Sequence, residues 1–269
     1  MEKKTVLSQV DGARLQITLS RPDKRNALDE DVVAALESEA ARAASDSQIR
    51  VVVLCGEGPV FCAGADIDWM KDLSTKSVEE NRRSAERLGA LFEIFDTLPK
   101  PLVGRIHGAC LGGATGLAAA CDIVVAARDC IFSLSEVRLG ILPAVIAPYV
   151  TREVGLGRAR ELMVTGRRFD SEEARRIGLV HHVVDGTHLA KKVDEVVADL
   201  LEGAPGAQSH VKEFLNELER RRISGAPLGA WTAEQLSRAR ASKEGRAGLA
   251  AFLERKRPPW APPTRDIET

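Results

Sequence analysis

Aromatic residues are scarce in this chain, and charge of neither sign dominates it. Phe, Trp and Tyr make up 4% of the 269 residues, and 38 Lys and Arg stand against 39 Asp and Glu, for a net charge of -1. Proteins that bind nucleic acid by base stacking and phosphate contacts need aromatic and basic surfaces. The composition therefore argues against nucleic acid as a partner, and any anionic ligand must be met by local groups.

Paired cysteines and long apolar runs are also missing. Cysteine occurs five times, without CxxC spacing and within apolar segments, at positions 55, 62, 110, 121 and 130. We therefore expect buried, reduced thiols in a cytoplasmic protein, and the sequence indicates no metal site. No segment has the length and apolarity of a signal peptide or a membrane helix, so neither secretion nor membrane insertion is expected.

The apolar pattern that is present predicts an α/β fold. Alternation around Asp11-Gly12 predicts a β-hairpin over residues 5–19, and Asp29 is a candidate N-cap for a helix that ends near Ala44. An amphipathic helix is predicted over residues 77–98. Apolar stretches predict buried strands at 51–54, 102–108, 123–127 and 131–134. Together these elements form repeated units of strand, turn and helix.

The C-terminal third is predicted to be mostly helical. The predicted helices cover residues 150–164, 171–177 with Ser171 as N-cap, 188–202, 209–222 and 230–256. Four prolines between positions 258 and 263 exclude a further regular element. We divide the chain into a core over residues 1–200 and a C-terminal helical region over residues 201–269, which packs on its own core or on a neighbouring subunit.

A glycine-rich stretch runs from Ile106 to Asp122, with glycine at 108, 112, 113 and 116. It predicts a strand, a tight turn and a helix that begins near Gly113. The first amides of a helix lack intrahelical partners and carry the positive end of its dipole, so the Gly113 N–H is a candidate donor to an oxyanion. A second loop, residues 61–66, offers another donor. From the residues alone, two ordinary tight turns explain these glycines equally well.

Three motifs together resemble the enoyl-CoA hydratase/isomerase, or crotonase, family. They are FCAGADI at 61–67, HGACLGGATGLAAACDIVVAA at 107–127 and FSLSEVRLGILP at 132–143. The resemblance extends from RPDKRNALD near the start to AFLERKRPPW near the end, and thus covers nearly the whole chain. It implies an α/β fold, a β-β-α superhelix with a helical C-terminal trimerisation region, assembled as a homotrimer or a dimer of trimers.

The resemblance also implies a site for an acyl-CoA thioester. Coenzyme A is then part of the substrate, and no separate cofactor is expected. The thioester oxygen is expected to accept hydrogen bonds from the amides of Ala65 and Gly113. The other residues implied in binding are Ala63, Asp66, Ile67, Lys24, Arg25, Gly116, Phe252 and Arg255. For the two basic residues at 24 and 25, a solvated turn is the alternative interpretation.

The acidic residues set this chain apart from many members of that family. Family hydratases use two glutamates, one three residues after the oxyanion glycine and one in the later FxxxE segment. The later one is present as Glu136, our candidate general acid and base, whereas the earlier position is Gly116. We expect Gly116 to leave room for a branched or carboxylated acyl chain. Gly116 and the string PAVIAPYV at 143–150 resemble the bacterial 3-methylglutaconyl-CoA hydratase branch of the family.

The sequence therefore predicts a lyase that reversibly hydrates a 2-enoyl-CoA, with 3-methylglutaconyl-CoA as the favoured substrate. An isomerase that moves the double bond with Glu136 alone, and a decarboxylase of a carboxyacyl-CoA, use the same oxyanion site and stay open. A non-catalytic RNA-binding protein is the alternative from another class.

A carboxylate at the far end of the acyl chain calls for a cation. Four arginines are candidates, but arginines on amphipathic helices are commonly solvated, and we assign none of Arg82, Arg83, Arg87 and Arg138. Trp69 and Met70 follow the first oxyanion loop and are candidates either to cap the acyl pocket or to pack in the core.

Overall fold

The computed structural model describes residues 4–221 and 224–262, which divide into two compact units. The first unit ends at Glu195 and the second begins at Val196, close to the boundary predicted after residue 200. Within those described ranges, no helix has both the length and the apolarity needed to cross a bilayer. All five cysteines are free and buried, as predicted.

The chain opens with the predicted β-hairpin. Its antiparallel strands are β1 (Val6–Asp11) and β2 (Arg14–Leu19). Asp11 pairs with Arg14, so the central residues of the turn are Gly12 and Ala13, one position later than predicted. Of these two turn residues, only Gly12 has a positive φ, of 55°. This is the requirement of a type II′ turn, in which the first central residue alone is left-handed.

Two sheets organise the first unit. The remaining strands are β3 (Val51–Gly56), β4 (Leu102–Ile106), β5 (Ala109–Leu111), β6 (Ile123–Ala127), β7 (Ile131–Ser133), β8 (Arg168–Asp170) and β9 (His182–Val184). The larger sheet has the order β1-β2-β3-β4-β6-β9 and the smaller one the order β5-β7-β8. Strand β3 is buried along its whole length, which its unbroken apolar run predicts for a strand covered on both faces.

The helices of the first unit begin mostly at residues that cap them. They are α1 (Glu30–Ser45), α2 (Ile67–Leu73), α3 (Val78–Asp96), α4 (Gly113–Ala119), α5 (Ala147–Thr165) and α6 (Ser171–Arg176). Asp29 caps α1 as predicted, and Ser77 forms a capping box with Glu80 at the start of α3. Helix α2 is absent from the prediction because its seven residues are too few for hydrophobic periodicity to identify a helix.

Two predictions for α5 and α6 are wrong in detail. The N-cap of α6 is Asp170, whose carboxylate accepts a hydrogen bond from the Glu173 amide, so Ser171 is already helical. Helix α5 is interrupted at Gly155, where φ is 76°. A left-handed residue cannot continue a right-handed helix, and the chain changes direction there.

Helix α7 (Leu189–Glu202) spans the division between the units. It is followed by α8 (Pro205–Arg221), α9 (Gly225–Ala241) and α10 (Lys243–Leu253). The single helix predicted over 230–256 is wrong, because Ser242 is extended, with ψ of 161°, and its hydroxyl caps α10. Residue 222 of the predicted fourth helix and residues 263–269 of the predicted C-terminal region lie outside the described residues.

From β4 to β7 the strands alternate between the two sheets. Strand β4 of the larger sheet is followed by β5 of the smaller sheet and then α4, and β6 is followed by β7 and a 3-10 turn over Glu136–Leu139. Strand β3 is followed by Cys62, which bridges to Cys110 in β5, and then by α2. Cys110 in turn pairs with Phe132 in β7. Cys62, Cys110 and Phe132 are thus aligned side by side and form the inner row.

Candidate active site

Three loops that follow the inner row carry the predicted catalytic groups. They contain Ala65, Gly113 and Glu136, each within four residues of its member of the row. Because the inner-row residues pair side by side, the loops that leave them are neighbours as well. Stacking of successive β-β-α units thus assembles a site from segments that are far apart in the sequence.

Close backbone approaches join these loops. A Cβ atom on Gly64 would lie 2.7 Å from the Leu111 carbonyl oxygen, and Gly64 has a φ of 94°. A Cβ atom on Gly112 would lie 3.2 Å from Glu136 Oε1, and Gly112 has a φ of 55°. Both positions therefore need glycine for conformation and for space.

The Ala65 amide is left available by its neighbours. The Leu28 amide donates to the Gly64 carbonyl at 2.8 Å, and the Leu28 carbonyl accepts from the Asp66 amide at 2.8 Å. In an extended bridge of this kind the intervening residue directs its own N–H away from the partner segment. Across the described ranges, no acceptor is found for the Ala65 N–H. It is free to bind an oxygen atom of a ligand.

The Gly113 amide is the second available donor. Gly113 is the first residue of α4, and its N-cap Gly112 has no side chain to satisfy the first amides. The Gly112 amide donates to the Ser133 carbonyl and the Gly112 carbonyl accepts from the Thr115 amide, each at 2.8 Å. The Gly113 N–H itself has no partner within residues 4–221 and 224–262. It carries the positive end of the α4 dipole.

Glu136 places a carboxyl group beside these amides. Its Oε1 atom lies against Gly112, and its Oε2 atom is buried with no hydrogen-bond partner among the described residues. Burial raises the pKa of the Glu136 carboxyl above its ordinary value of 4.5, and a hydrogen bond from its own amide offsets part of that effect. With its Oε2 atom buried and unpartnered among the described residues and its pKa raised, this carboxyl is suited to accept and return a proton.

The space predicted beside Gly116 is not open. A Cβ atom on Gly116 would lie 2.2 Å from Ile146 Cγ2 and 3.1 Å from Phe92 Cε1. The prediction that Gly116 leaves room for an acyl chain is therefore wrong, because Ile146 fills that room. Helix α4 instead packs closely against the start of α5, and hydrocarbon occupies the place where a side chain at position 116 would lie.

Arg21 is a site residue that the sequence analysis missed. Its guanidinium donates to the Asp66 carboxylate at 3.0 Å, is 2.8 Å from the Asp29 carboxylate and also donates to the Ala27 carbonyl. Asp66 is buried and caps α2 by accepting from the Asp68 amide at 2.8 Å. Burial would raise the pKa of the Asp66 carboxyl, but these bonds outweigh it and lower the pKa. The network holds the segment that carries the Ala65 amide.

The CoA-binding residues predicted in the first unit lie around the same segment. Lys24 forms an exposed ion pair with Asp68 at 2.7 Å, and the Ala63 amide donates to the Arg25 carbonyl at 3.0 Å. Ile67 is 77% exposed at the start of α2. Their contacts with CoA stay a prediction. Asp66 is engaged through its carboxylate, amide and carbonyl, which gives its side chain a structural task.

Two of the remaining candidates belong to the second unit, and three of the candidate arginines lie on α3. Phe252, 79% exposed, and Arg255 belong to the second unit, and their part in CoA binding stays a prediction. Three of the candidate arginines are engaged in exposed ion pairs, Arg82 with Glu79 and Glu86, Arg83 with Glu79, and Arg87 with Glu37.

Two amide donors beside a buried carboxyl define the chemistry of the site. Fixed N–H groups stabilise negative charge on a carbonyl oxygen, and one such donor is typically worth about 2.7–4 kcal/mol in a transition state. A carboxyl group close to the same carbonyl can move a proton at the adjacent carbon. The arrangement therefore suits reactions that pass through an enolate.

The acidic limb of the pH–rate profile is expected to report Glu136. Because burial raises its pKa, kcat/KM should fall as the pH drops through a value above 4.5, where the reactive carboxylate is lost. Measurement of kcat/KM between about pH 4 and pH 8 tests this. A profile that stays flat down to the ordinary glutamate range would contradict the assignment.

Loss of Arg21 is expected to lower kcat more than it raises KM. Arg21→Ala frees Asp66 and loosens the Ala65 loop, and we expect kcat/KM to fall about 10- to 100-fold, with a smaller loss in Arg21→Lys. The absorption shift of a bound conjugated enoyl thioester measures carbonyl polarisation directly, and it should shrink in the same order. Arg14→Ala, which breaks ion pairs with Asp11 and Asp194, is the control and should leave both unchanged.

Comparison with known proteins gives consistent matches. The family model for enoyl-CoA hydratase/isomerase matches residues 10–263. A short-chain-enoyl-CoA hydratase from Clostridium acetobutylicum is 30% identical over 259 residues, which are 96% of this chain and 97% of that protein. A mevalonyl-coenzyme A hydratase from Aspergillus fumigatus is 31% identical over 255 residues, 92% of this chain and 91% of that protein. The crystal structure of an enoyl-CoA hydratase from Shewanella pealeana has a TM-score of 0.91 and 36% identity, covering 95% of this chain and 96% of the other.

Proposed function

The chain belongs to the enoyl-CoA hydratase/isomerase family, whose crotonase fold it shares, and from this premise we propose that it hydrates a 2-enoyl-CoA reversibly. The favoured substrate is 3-methylglutaconyl-CoA, which would give 3-hydroxy-3-methylglutaryl-CoA, as in leucine and isovalerate metabolism. The observation that carries the reaction is the buried, unpartnered Oε2 of Glu136 beside the free amides of Ala65 and Gly113.

This geometry supports the following reaction. The thioester oxygen accepts hydrogen bonds from the Ala65 and Gly113 amides, which draw electrons from the C2–C3 double bond. The water oxygen bonds to C3 while Glu136 takes one of its protons, and the double-bond electrons move to the thioester oxygen as an enolate. Glu136 then gives that proton to C2 as the carbonyl re-forms. One carboxyl group thus serves as base and then as acid, and it ends as it began.

Two observations support a branched substrate with a polar end. The string at 143–150 resembles the 3-methylglutaconyl-CoA hydratase branch. The Aspergillus relative is named for mevalonyl-CoA, whose acyl group is also branched at C3 and polar at its far end. Open space beside Gly116 does not support this choice of substrate, because Ile146 fills that space.

A substrate panel tests the proposal. We expect kcat/KM for hydration of 3-methylglutaconyl-CoA, followed by loss of enone absorbance, to exceed that for crotonyl-CoA at least about tenfold. Product formed in ¹⁸O-labelled water should carry the label at C3. Equal rates on the two esters would contradict the substrate assignment, and unlabelled product would contradict hydration.

Isomerisation is a second candidate, and the packing at Gly116 favours it. Because Ile146 and Phe92 surround that position, Glu136 is the carboxyl group that the site brings to the acyl chain. A single carboxyl can carry a proton between C4 and C2 without adding water. A product that keeps its double bond and gains no ¹⁸O would identify this reaction.

We also propose a cytoplasmic homotrimer or dimer of trimers that uses residues 201–269 for assembly. The assembly rests on the family resemblance, and the compartment on the five free, buried cysteines. Light scattering coupled to size-exclusion chromatography gives the subunit number, and a monomer in solution would contradict the proposal.

A further inference from the structure

Trp69 carries a buried polar atom that the proposed reaction does not use. Its indole Nε1 atom is buried and has no hydrogen-bond partner among the residues that the structure describes. Buried tryptophan N–H groups nearly always find an acceptor, because desolvating a donor without one is costly. The missing acceptor therefore points to an atom that a ligand supplies.

Trp69 is held in a fixed relation to the oxyanion loop. It is the third residue of α2, which begins two residues after Ala65. The Asp66 carboxylate accepts hydrogen bonds from the amides of Asp68 and Trp69, and Arg21 holds that carboxylate from its other side. The backbone of Trp69 is thus held in place by Asp66 and Arg21, the same residues that hold the Ala65 loop.

Core packing does not account for the tryptophan. Helix α2 contains no buried residue, and Ile67 at its first position is 77% exposed. The Trp69 side chain is only partly buried, yet its N–H is enclosed, and the packing around α2 supplies no acceptor for it among the described residues. Glu136 Oε2 is likewise buried without a hydrogen-bond partner among the described residues.

We propose that the Trp69 indole N–H donates a hydrogen bond to an oxygen atom of the acyl chain beyond the thioester, namely the distal carboxylate of a 3-methylglutaconyl-type substrate. The inference rests on the proposed function and names the residue that selects its substrate. A donor to an ionised oxygen forms a short, strong hydrogen bond. Three of the four candidate arginines, at 82, 83 and 87, already form ion pairs with glutamates. A neutral N–H donor can bind the carboxylate without breaking these ion pairs.

Binding of unreactive saturated esters tests the role of Trp69 apart from catalysis. Calorimetry on the full-length protein compares 3-methylglutaryl-CoA with 3-methylpentanoyl-CoA, which has an ethyl end in place of the carboxylate arm. We expect the unaltered protein to prefer the carboxylate ester, and Trp69→Phe to weaken its binding about tenfold while binding of the apolar ester changes less than about twofold. Trp231→Phe, in the second unit, is the matched control and should change neither.

A second variant guards against a folding defect in Trp69→Phe. With Trp231 and Trp260 both replaced by phenylalanine, Trp69 is the sole tryptophan, and its emission should respond more strongly to 3-methylglutaryl-CoA than to the apolar ester. Equal weakening of both esters in Trp69→Phe, or no preference in the unaltered protein, overturns the proposal. Failure to turn over 3-methylglutaconyl-CoA would instead contradict the proposed function, because the binding ratio is measured without turnover.

Discussion

Glu136→Gln is expected to lower kcat about 10³- to 10⁴-fold, the upper part of the range for general acid–base catalysis, because one side chain performs both proton transfers. Glutamine keeps the size of the side chain and its place against Gly112, so KM should change little. Steady-state hydration of the best ester in the panel measures the effect. Near-normal turnover would contradict the mechanism.

The same variant is expected to keep or gain folding stability at pH 7. The pKa of Glu136 is raised in the folded protein, so the folded state binds this proton more tightly than the unfolded chain, and stability rises as the pH falls through the folded pKa. At pH 7 the buried charge is therefore a cost that glutamine removes. The control for the loss of turnover in Glu136→Gln is Glu79→Gln on the exposed face of α3, which should leave turnover within about twofold of the parent.

Gly116→Ala is expected to destabilise the fold by about 2–4 kcal/mol, because the new Cβ atom would meet Ile146 Cγ2 at 2.2 Å. In an ordinary helix the same change stabilises by about 1 kcal/mol. The clash outweighs this propensity because Ile146 is buried and held by packing on all sides. Denaturant unfolding gives the free energy of unfolding directly.

Gly89→Ala is the matched control within the same unit. Gly89 also lies inside a helix, but a Cβ atom there would be 3.8 Å from Val145 Cγ1, an ordinary contact. This change should stabilise by up to about 1 kcal/mol. Gly116→Ala combined with Ile146→Ala should cost less stability than the sum of the two single changes, since the two positions share one space. A Gly116→Ala protein as stable as the parent would contradict the packing described.

Several elements could be predicted because their causes are local. Asp29 and Ser77 cap helices through their own side chains, and the apolar run at 51–54 predicts a buried strand without reference to any partner. Gly113 was identified as a helix start by the glycines around it. Glu136 was identified only through the resemblance of its motif, since a lone glutamate carries no local signal for burial.

Other features depended on contacts that the sequence does not display. Gly116 suggested open space, but Ile146, thirty positions later in the chain, fills it. The bond from Arg21 to Asp66 joins residues 45 positions apart. Helix α2 is only seven residues long, so neither the helix nor the enclosed N–H of Trp69 could be found from hydrophobic periodicity.

By itself the sequence determined the local parts of this protein: the caps, the buried strands, the glycine turns and, by resemblance, the family and its candidate catalytic groups. Only the tertiary structure decided that Ala65, Gly113 and Glu136 share one site and that Gly116 is closed by Ile146. The physical reason is that turn and helix preferences act within a few residues, whereas side-by-side pairing along the inner row brings together groups from separate β-β-α units.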